Sequence, residues 1–84
     1  MVVVGDVFMR YQELENLYND NYKLKFRLFG LEYIIKKDIE GVLIYPILYP
    51  ESKKIFSNFS ELMNNYTIFN EPIIKNIDKI ILLS

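Results

Sequence analysis

Apolar and polar positions alternate without a break from Tyr22 to Leu28, with Leu24, Phe26 and Leu28 on one side and Lys23, Lys25 and Arg27 on the other. A period of two predicts a β-strand with one buried face. A second run, Leu31 to Lys37, follows Phe29-Gly30, and a third, Val42 to Tyr49, follows Asp38-Ile39-Glu40-Gly41. Folding the chain at a two-residue turn over Phe29-Gly30 sets Leu28 opposite Leu31, Phe26 opposite Tyr33 and Leu24 opposite Ile35, all on one face. Arg27 then meets Glu32 on the other face. The second turn pairs Ile35 with Ile44 and Leu31 with Leu48. A slip of one residue destroys this agreement, so the expectation is an antiparallel three-stranded meander in this register. Lysines on the first strand suit an edge. Pro46 cannot donate a ladder hydrogen bond, which assigns the third strand to an edge or a bulge.

The flanking segments carry a helical period. Asp6 is the expected N-cap of a helix from Val7 to about Asn19, with Val7, Tyr11, Leu14 and Tyr18 on one stripe and Glu13, Glu15 and Asn16 outside. Val2-Val3-Val4 is open between a fourth strand and a frayed end. After a turn at Tyr49-Pro50-Glu51-Ser52, Asn58 followed by Glu61 reads as a capping box for a helix carrying Phe59, Leu62, Met63 and Tyr66. A last helix is expected from Asn70-Glu71-Pro72, with Ile73, Ile77 and Ile80 or Ile81 as its stripe. Its tail, Ile80 to Leu83, fits either helix or a short strand. The predicted fold is α+β: one N-terminal helix, the meander and two C-terminal helices (αβββαα), with residues 1–84 forming a single domain.

Composition narrows the chemistry. The six Phe and seven Tyr supply a core without a staple, and the chain has no Cys and no His. Disulfides, thiolate metal sites and cysteine nucleophiles are therefore excluded, and so is the commonest general base. The three glycines are far apart, so no phosphate-cradling loop exists. Gly30 and Gly41 are read as turn residues needing a positive φ. Asp38 and Glu40 share a turn but lack a further oxygen ligand for a hard cation. Glu13 and Glu15 do not face each other on a helix, and no serine has a histidine partner. The reading is a protein that is not an enzyme, with no catalytic residue, no metal and no cofactor. The longest apolar run is too short to span a bilayer and Met1 to Val4 is unlike a signal peptide, so a cytoplasmic protein without a membrane partner is expected.

Net charge is −1, unevenly spread. Residues 1–21 carry Asp6, Glu13, Glu15 and Asp20 against Arg10, and the next strand answers with Lys23, Lys25 and Arg27. By the register, the second face of the sheet carries Lys23, Lys25, Arg27 and Lys36 on one side and Ile34, Leu43, Tyr45, Ile47 and Tyr49 on the other. Both faces of the third strand are apolar, and leaving several such side chains in water forgoes about 1.5 to 3 kcal/mol apiece, so a cover is expected. Either a helix of this chain lies across the face, or it is a partner-binding patch. In the second case Leu43, Tyr45, Ile47 and Tyr49, with the acidic helix residues Glu13 and Glu15, are the candidate protein-binding residues. Lys23, Lys25, Arg27 and Lys36 are the candidates for an alternative, a small nucleic-acid-binding module using the basic and tyrosine face.

The segments Gly30-x-x-Tyr33, Tyr49-Pro50, Phe59-Ser60-Glu61-Leu62 and Ile68-x-Asn70-x-Pro72-Ile73 before Ile77 resemble small proteins of low-GC Gram-positive bacteria and their phages. An abundance of Ile, Asn, Lys and Tyr, without Ala or Trp, agrees with an AT-rich coding sequence. The predicted order of elements also resembles a phage-encoded anti-CRISPR inhibitor of a CRISPR effector nuclease. That resemblance implies a phage or mobile-element protein that binds a host defence nuclease or effector. The inhibitor is strongly acidic and imitates DNA, whereas this chain is nearly neutral. Only the acidic helix face is able to imitate DNA here, which points to a different target or contact surface. A third reading is an immunity-type protein whose partner is encoded beside it.

Overall fold

The computed structural model describes residues 4–83, with side chains from Met9 onward. The lead at residues 1–3 and the side chain of Val7 lie outside the described part. The first helix, α1, spans Val4–Asn21 and is longer than predicted at both ends. Asp6 lies within its first turn and so is not its N-cap. Leu14 and Tyr18 are buried and Tyr11 half-buried, as the stripe requires. The helix ends where Tyr22 turns left-handed at φ 56° and its N–H reaches back to the Tyr18 carbonyl at 2.6 Å. A left-handed tyrosine costs about 1–2 kcal/mol. Lys37 offsets part of this, with Nζ 4.4 Å from the ring centroid and its N–H on the Tyr22 carbonyl at 3.0 Å.

The meander forms in the expected register. β1 (Lys23–Leu28), β2 (Leu31–Asp38) and β3 (Gly41–Pro46) pair Leu28 with Leu31, Phe26 with Tyr33, Leu24 with Ile35 and Ile35 with Ile44. Phe29 and Gly30, at φ 53° and 81°, close the first hairpin with the mirror-image turn that strand twist favours. The expected Leu31–Leu48 pair does not form. The ladder ends where the Ile47 N–H meets the Glu32 carbonyl at 2.9 Å, and the chain then turns, with the Tyr49 N–H on the Pro46 carbonyl.

Four strands beyond the meander, two of them added to its sheet, correct the predicted αβββαα order. After a short 3₁₀ turn at Pro50–Ser52, β4 (Lys54–Phe56) pairs with β3 through Val42–Phe56, Leu43–Ile55 and Ile44–Lys54. Pro46 is therefore not on an edge strand. Hydrogen bonding alternates along an antiparallel ladder, so its missing N–H points to the β4 side, where β4 has already stopped opposite Ile44. Gly41, at φ 148°, is required for a second reason: a Cβ there would collide with the carbonyl oxygen of Phe56.

Helix α2 (Phe59–Asn65) starts as predicted, with the Glu61 N–H on Asn58 Oδ1 at 2.8 Å and the Glu61 carboxylate accepting the Ser57 N–H at 3.1 Å. The last predicted helix is not an α-helix beginning at Asn70. Phe69 and Asn70 both adopt positive φ, 53° and 66°, and reverse the chain between β5 (Thr67–Ile68) and β6 (Glu71–Pro72). A 3₁₀ segment, Ile73–Lys79, follows and is broken at Asn76. That residue is buried and held between Glu71 Oε1 at 3.1 Å and Lys79 Nζ at 3.3 Å. The stripe survives the change, since Ile73, Ile77 and Ile80 are all buried. β7 (Ile81–Leu82) then pairs with Phe26 and Arg27, giving the strand order β4-β3-β2-β1-β7.

Every helical segment that joins the core packs on one side of this sheet. There Phe26, Leu28, Ile35 and Ile44 meet Leu14 of α1, Leu62 and Met63 of α2 and Ile73 and Ile77 of the 3₁₀ segment. Among the described residues the other side carries no helix beyond the single 3₁₀ turn at Pro50–Ser52.

Candidate functional site

The registers fix what the open face presents. Across the sheet it runs Ile55, Leu43, Lys36, Lys23 in one row and Tyr45, Ile34, Lys25 in the next. A third row runs Ile47, Glu32, Arg27, Ile81. The β3 and β4 side is apolar and the β1 side basic, because each strand alternates separately and β1 has lysine where β3 has leucine and tyrosine.

Two residues of this face are buried without a helix above them. Ile34 is 7 % and Leu43 8 % exposed. Ile34 lies between Lys25 and Tyr45, and Leu43 between Lys36 and Ile55, so long neighbouring side chains shield them. The Lys36 ammonium lies 5.8 Å from the Tyr45 ring centroid. The turn after β3 folds back, and Pro50 closes one wall of a shallow groove whose other walls are Lys23, Lys25, Ile34, Tyr45 and Ile47.

Charge on the face is more localised than the sequence implied. Arg27 donates to Glu32 at 2.9 Å, and that hydrogen bond, with the charges of Arg27 and Lys25, holds the Glu32 carboxyl below its usual value. Arg27 is thus compensated. Lys23, Lys25 and Lys36 have no carboxylate partner among the described residues.

Of the predicted protein-binding residues, Tyr45 and Ile47 are half-buried on the open face and Leu43 forms its floor. Tyr49 lies past the end of β3, in the turn, and is 54 % exposed. Glu13 and Glu15 belong to α1, on the opposite side of the sheet, where Glu13 pairs with Arg10 and Glu15 accepts from Gln12 at 3.4 Å. The structure does not bring them to the tyrosine face. Among the nucleic-acid candidates, Lys23, Lys25 and Lys36 share one end of the face, and Arg27 is the residue that Glu32 occupies.

Ile55 and Ile81 extend the face at its two edges; the sequence offers a short strand for the tail that holds Ile81 but does not place either residue on this face. Strands of two or three residues leave no period to detect, and only the apolar character of those positions marks them. A pair also missed is Phe29 with Phe69, whose rings meet edge-to-face at 5.5 Å between two hairpin tips. Both keep left-handed backbones and remain exposed.

The Asp38 carboxylate accepts the Glu40 N–H at 3.1 Å and so closes its own turn. Among the described residues no group of three or more metal-ligating side chains occurs, and no helix is long and apolar enough to cross a membrane. No family model, curated protein or solved structure matches this chain.

Proposed function

We propose that this protein is a non-catalytic binding module that docks another protein on the open face of its sheet. One observation carries the reading: a five-stranded sheet with its α-helices on one side leaves Ile55 and Ile81 exposed and Tyr45 and Ile47 half-exposed on the other, beside three lysines that have no carboxylate partner among the described residues. Sheets bury apolar stripes against a second layer, and a partner supplies the layer that this chain lacks. The phage or mobile-element origin that its segments suggest, taken with the likeness to an anti-CRISPR inhibitor, makes a host defence nuclease or effector the proposed target class. That likeness is to the αβββαα order, of which the structure keeps the N-terminal helix and the meander, and the protein-binding reading itself rests on the open face.

Compensation of Arg27 by Glu32 and placement of Lys36 against Tyr45 favour protein over nucleic acid, because both reduce what a phosphate backbone or a stacking base would engage. The test is recovery of host proteins on immobilised wild-type and Tyr45→Ser/Ile47→Ser chains. A partner held by the first and lost by the second supports the reading. Equal recovery of every partner by both chains removes it.

A further inference from the structure

We infer that the occupant of the open face is an acidic amphipathic helix of the partner, lying along the strands with its apolar stripe on β3 and its acidic flank over Lys23, Lys25 and Lys36. The inference rests on the reading that this face binds protein, and it names the partner's chemistry.

Backbone chemistry comes first. A sheet face, unlike an edge, offers no free N–H or C=O, so an extended peptide laid across it would leave its own backbone groups unpaired in a drying interface. A helix satisfies those groups internally and brings only side chains to the contact. Dimensions agree. Strands lie about 4.8 Å apart, so β3 and β1 are separated by about 10 Å, close to the diameter of a helix with its side chains. One helix seated over β2 therefore reaches both.

Charge then sets the composition. The apolar half of the face is Tyr45, Ile47 and Ile55 over a floor of Ile34 and Leu43, and the basic half is Lys23, Lys25 and Lys36. Glu32, bound to Arg27, keeps the third row close to neutral, so the acidic flank belongs over Lys23, Lys25 and Lys36 and stops short of the Asp38 and Glu40 carboxylates of the adjoining turn. A helix with Leu or Ile at i, i+3, i+4 and i+7 and Asp or Glu on one adjoining edge fits this division, whereas a basic helix places like charge on the three lysines. A partner neutral on that edge leaves them uncompensated.

The test uses three synthetic peptides of equal length: the acidic amphipathic helix, the same residues rearranged to alternate as a strand, and the helix with Lys in place of Glu. A single-stranded oligonucleotide is the fourth probe. Amide-shift mapping on the full chain reports site and affinity together. The expected result is saturable binding of the acidic helix alone, with shifts at Ile34, Tyr45 and Lys25 and none along the outer face of α1. Lys23→Glu/Lys25→Glu, at partly or fully exposed positions that leave the fold intact, is expected to weaken the acidic helix about 10-fold or more and to gain binding of the basic one. Equal binding of the strand-patterned peptide, shifts confined to α1, or no charge swap in the double variant overturns the inference. Tight binding of the oligonucleotide with a steep salt dependence overturns it too, and the protein-binding reading with it. A host protein that maps to this face while no acidic helix binds leaves the function reading standing and sinks this one.

Discussion

The two faces of one sheet are built from the same five strands and solve different problems. On the helical side Leu24, Phe26, Leu28, Tyr33, Ile35, Val42 and Ile44 are large and buried against side chains of other elements, and only Lys37, at the margin beside Tyr22, is charged and exposed. On the open side the alternate positions are divided by strand: apolar on β3 and β4, basic on β1. Its two buried members, Ile34 and Leu43, are shielded by long neighbouring side chains rather than by a layer. Alternation alone thus makes one face for folding and another that is dry in places and wet in others. Such a mixed surface supports a reversible contact better than a core, because its lysine heads stay hydrated until something acidic replaces the water.

The comparison breaks most readily at single side chains. Phe26→Ala and Ile35→Ala, each removing a residue that is at most 1 % exposed, are expected to cost about 3–5 kcal/mol by denaturant titration. Leu43→Ala, on the open face yet buried, is expected to cost about 2 kcal/mol, and Tyr45→Ala less than about 1 kcal/mol. An open-face series as costly as the core series would mean that the two faces do not differ in role.

Gly41→Val sharpens the boundary between them. The added Cβ meets the Phe56 carbonyl and the backbone is left-handed, so a loss of about 1–3 kcal/mol is expected, together with faster amide exchange at Ile55, whose strand it displaces. Asn58→Ala removes the cap of α2 and should lower stability by about 1 kcal/mol without altering the open face.

The smallest effect at neutral pH appears only in alkali. Burial raises the phenols of Tyr33 and Tyr66, and for Tyr66 the charge of Tyr33 adds to the effect. The folded state holds both phenols neutral, so their contribution is complete below the ordinary tyrosine value of 10.0 and is lost as pH rises from there through their folded pKa. Tyrosinate absorbance followed with unfolding should show the two events together, and Tyr66→Phe should lessen the alkaline loss. An alkaline slope unchanged in that variant would place the titrating group elsewhere.

The meander was legible because two constraints agreed: an unbroken alternation in residues 22–28 and turns whose lengths matched it. Asn58 was legible for a similar reason, since a cap and its Glu61 partner lie within one turn of chain. The C-terminal third was not. Ile73, Ile77 and Ile80 recur at a spacing that fits an α-helix, a broken 3₁₀ segment and a strand entry alike, and what decides among them is a left-handed pair at Phe69-Asn70 that no period announces. A phenylalanine in that conformation is a tertiary choice, and its ring is met by Phe29 from a hairpin forty residues earlier in the chain. β4 was hidden, and β7 was only one of two alternatives for the tail Ile80 to Leu83, for another reason. Strands of two or three residues exist because the meander offers them an edge, and the edge is not written in their own sequence. At the site, Tyr45, Ile47 and the three lysines came from the register, whereas Glu13 and Glu15 were grouped with them on charge alone and lie on the far side of the sheet.

The proposed division of labour is that the open face binds while the helical face folds. One variant tests it most directly: Tyr45→Ser/Ile47→Ser, taken through denaturant unfolding and partner binding on the same preparation. The expected result is a cooperative transition within about 2 kcal/mol of wild type and partner binding weakened by about 10-fold or more. An unfolded variant, or a folded one that keeps its partner, would contradict it.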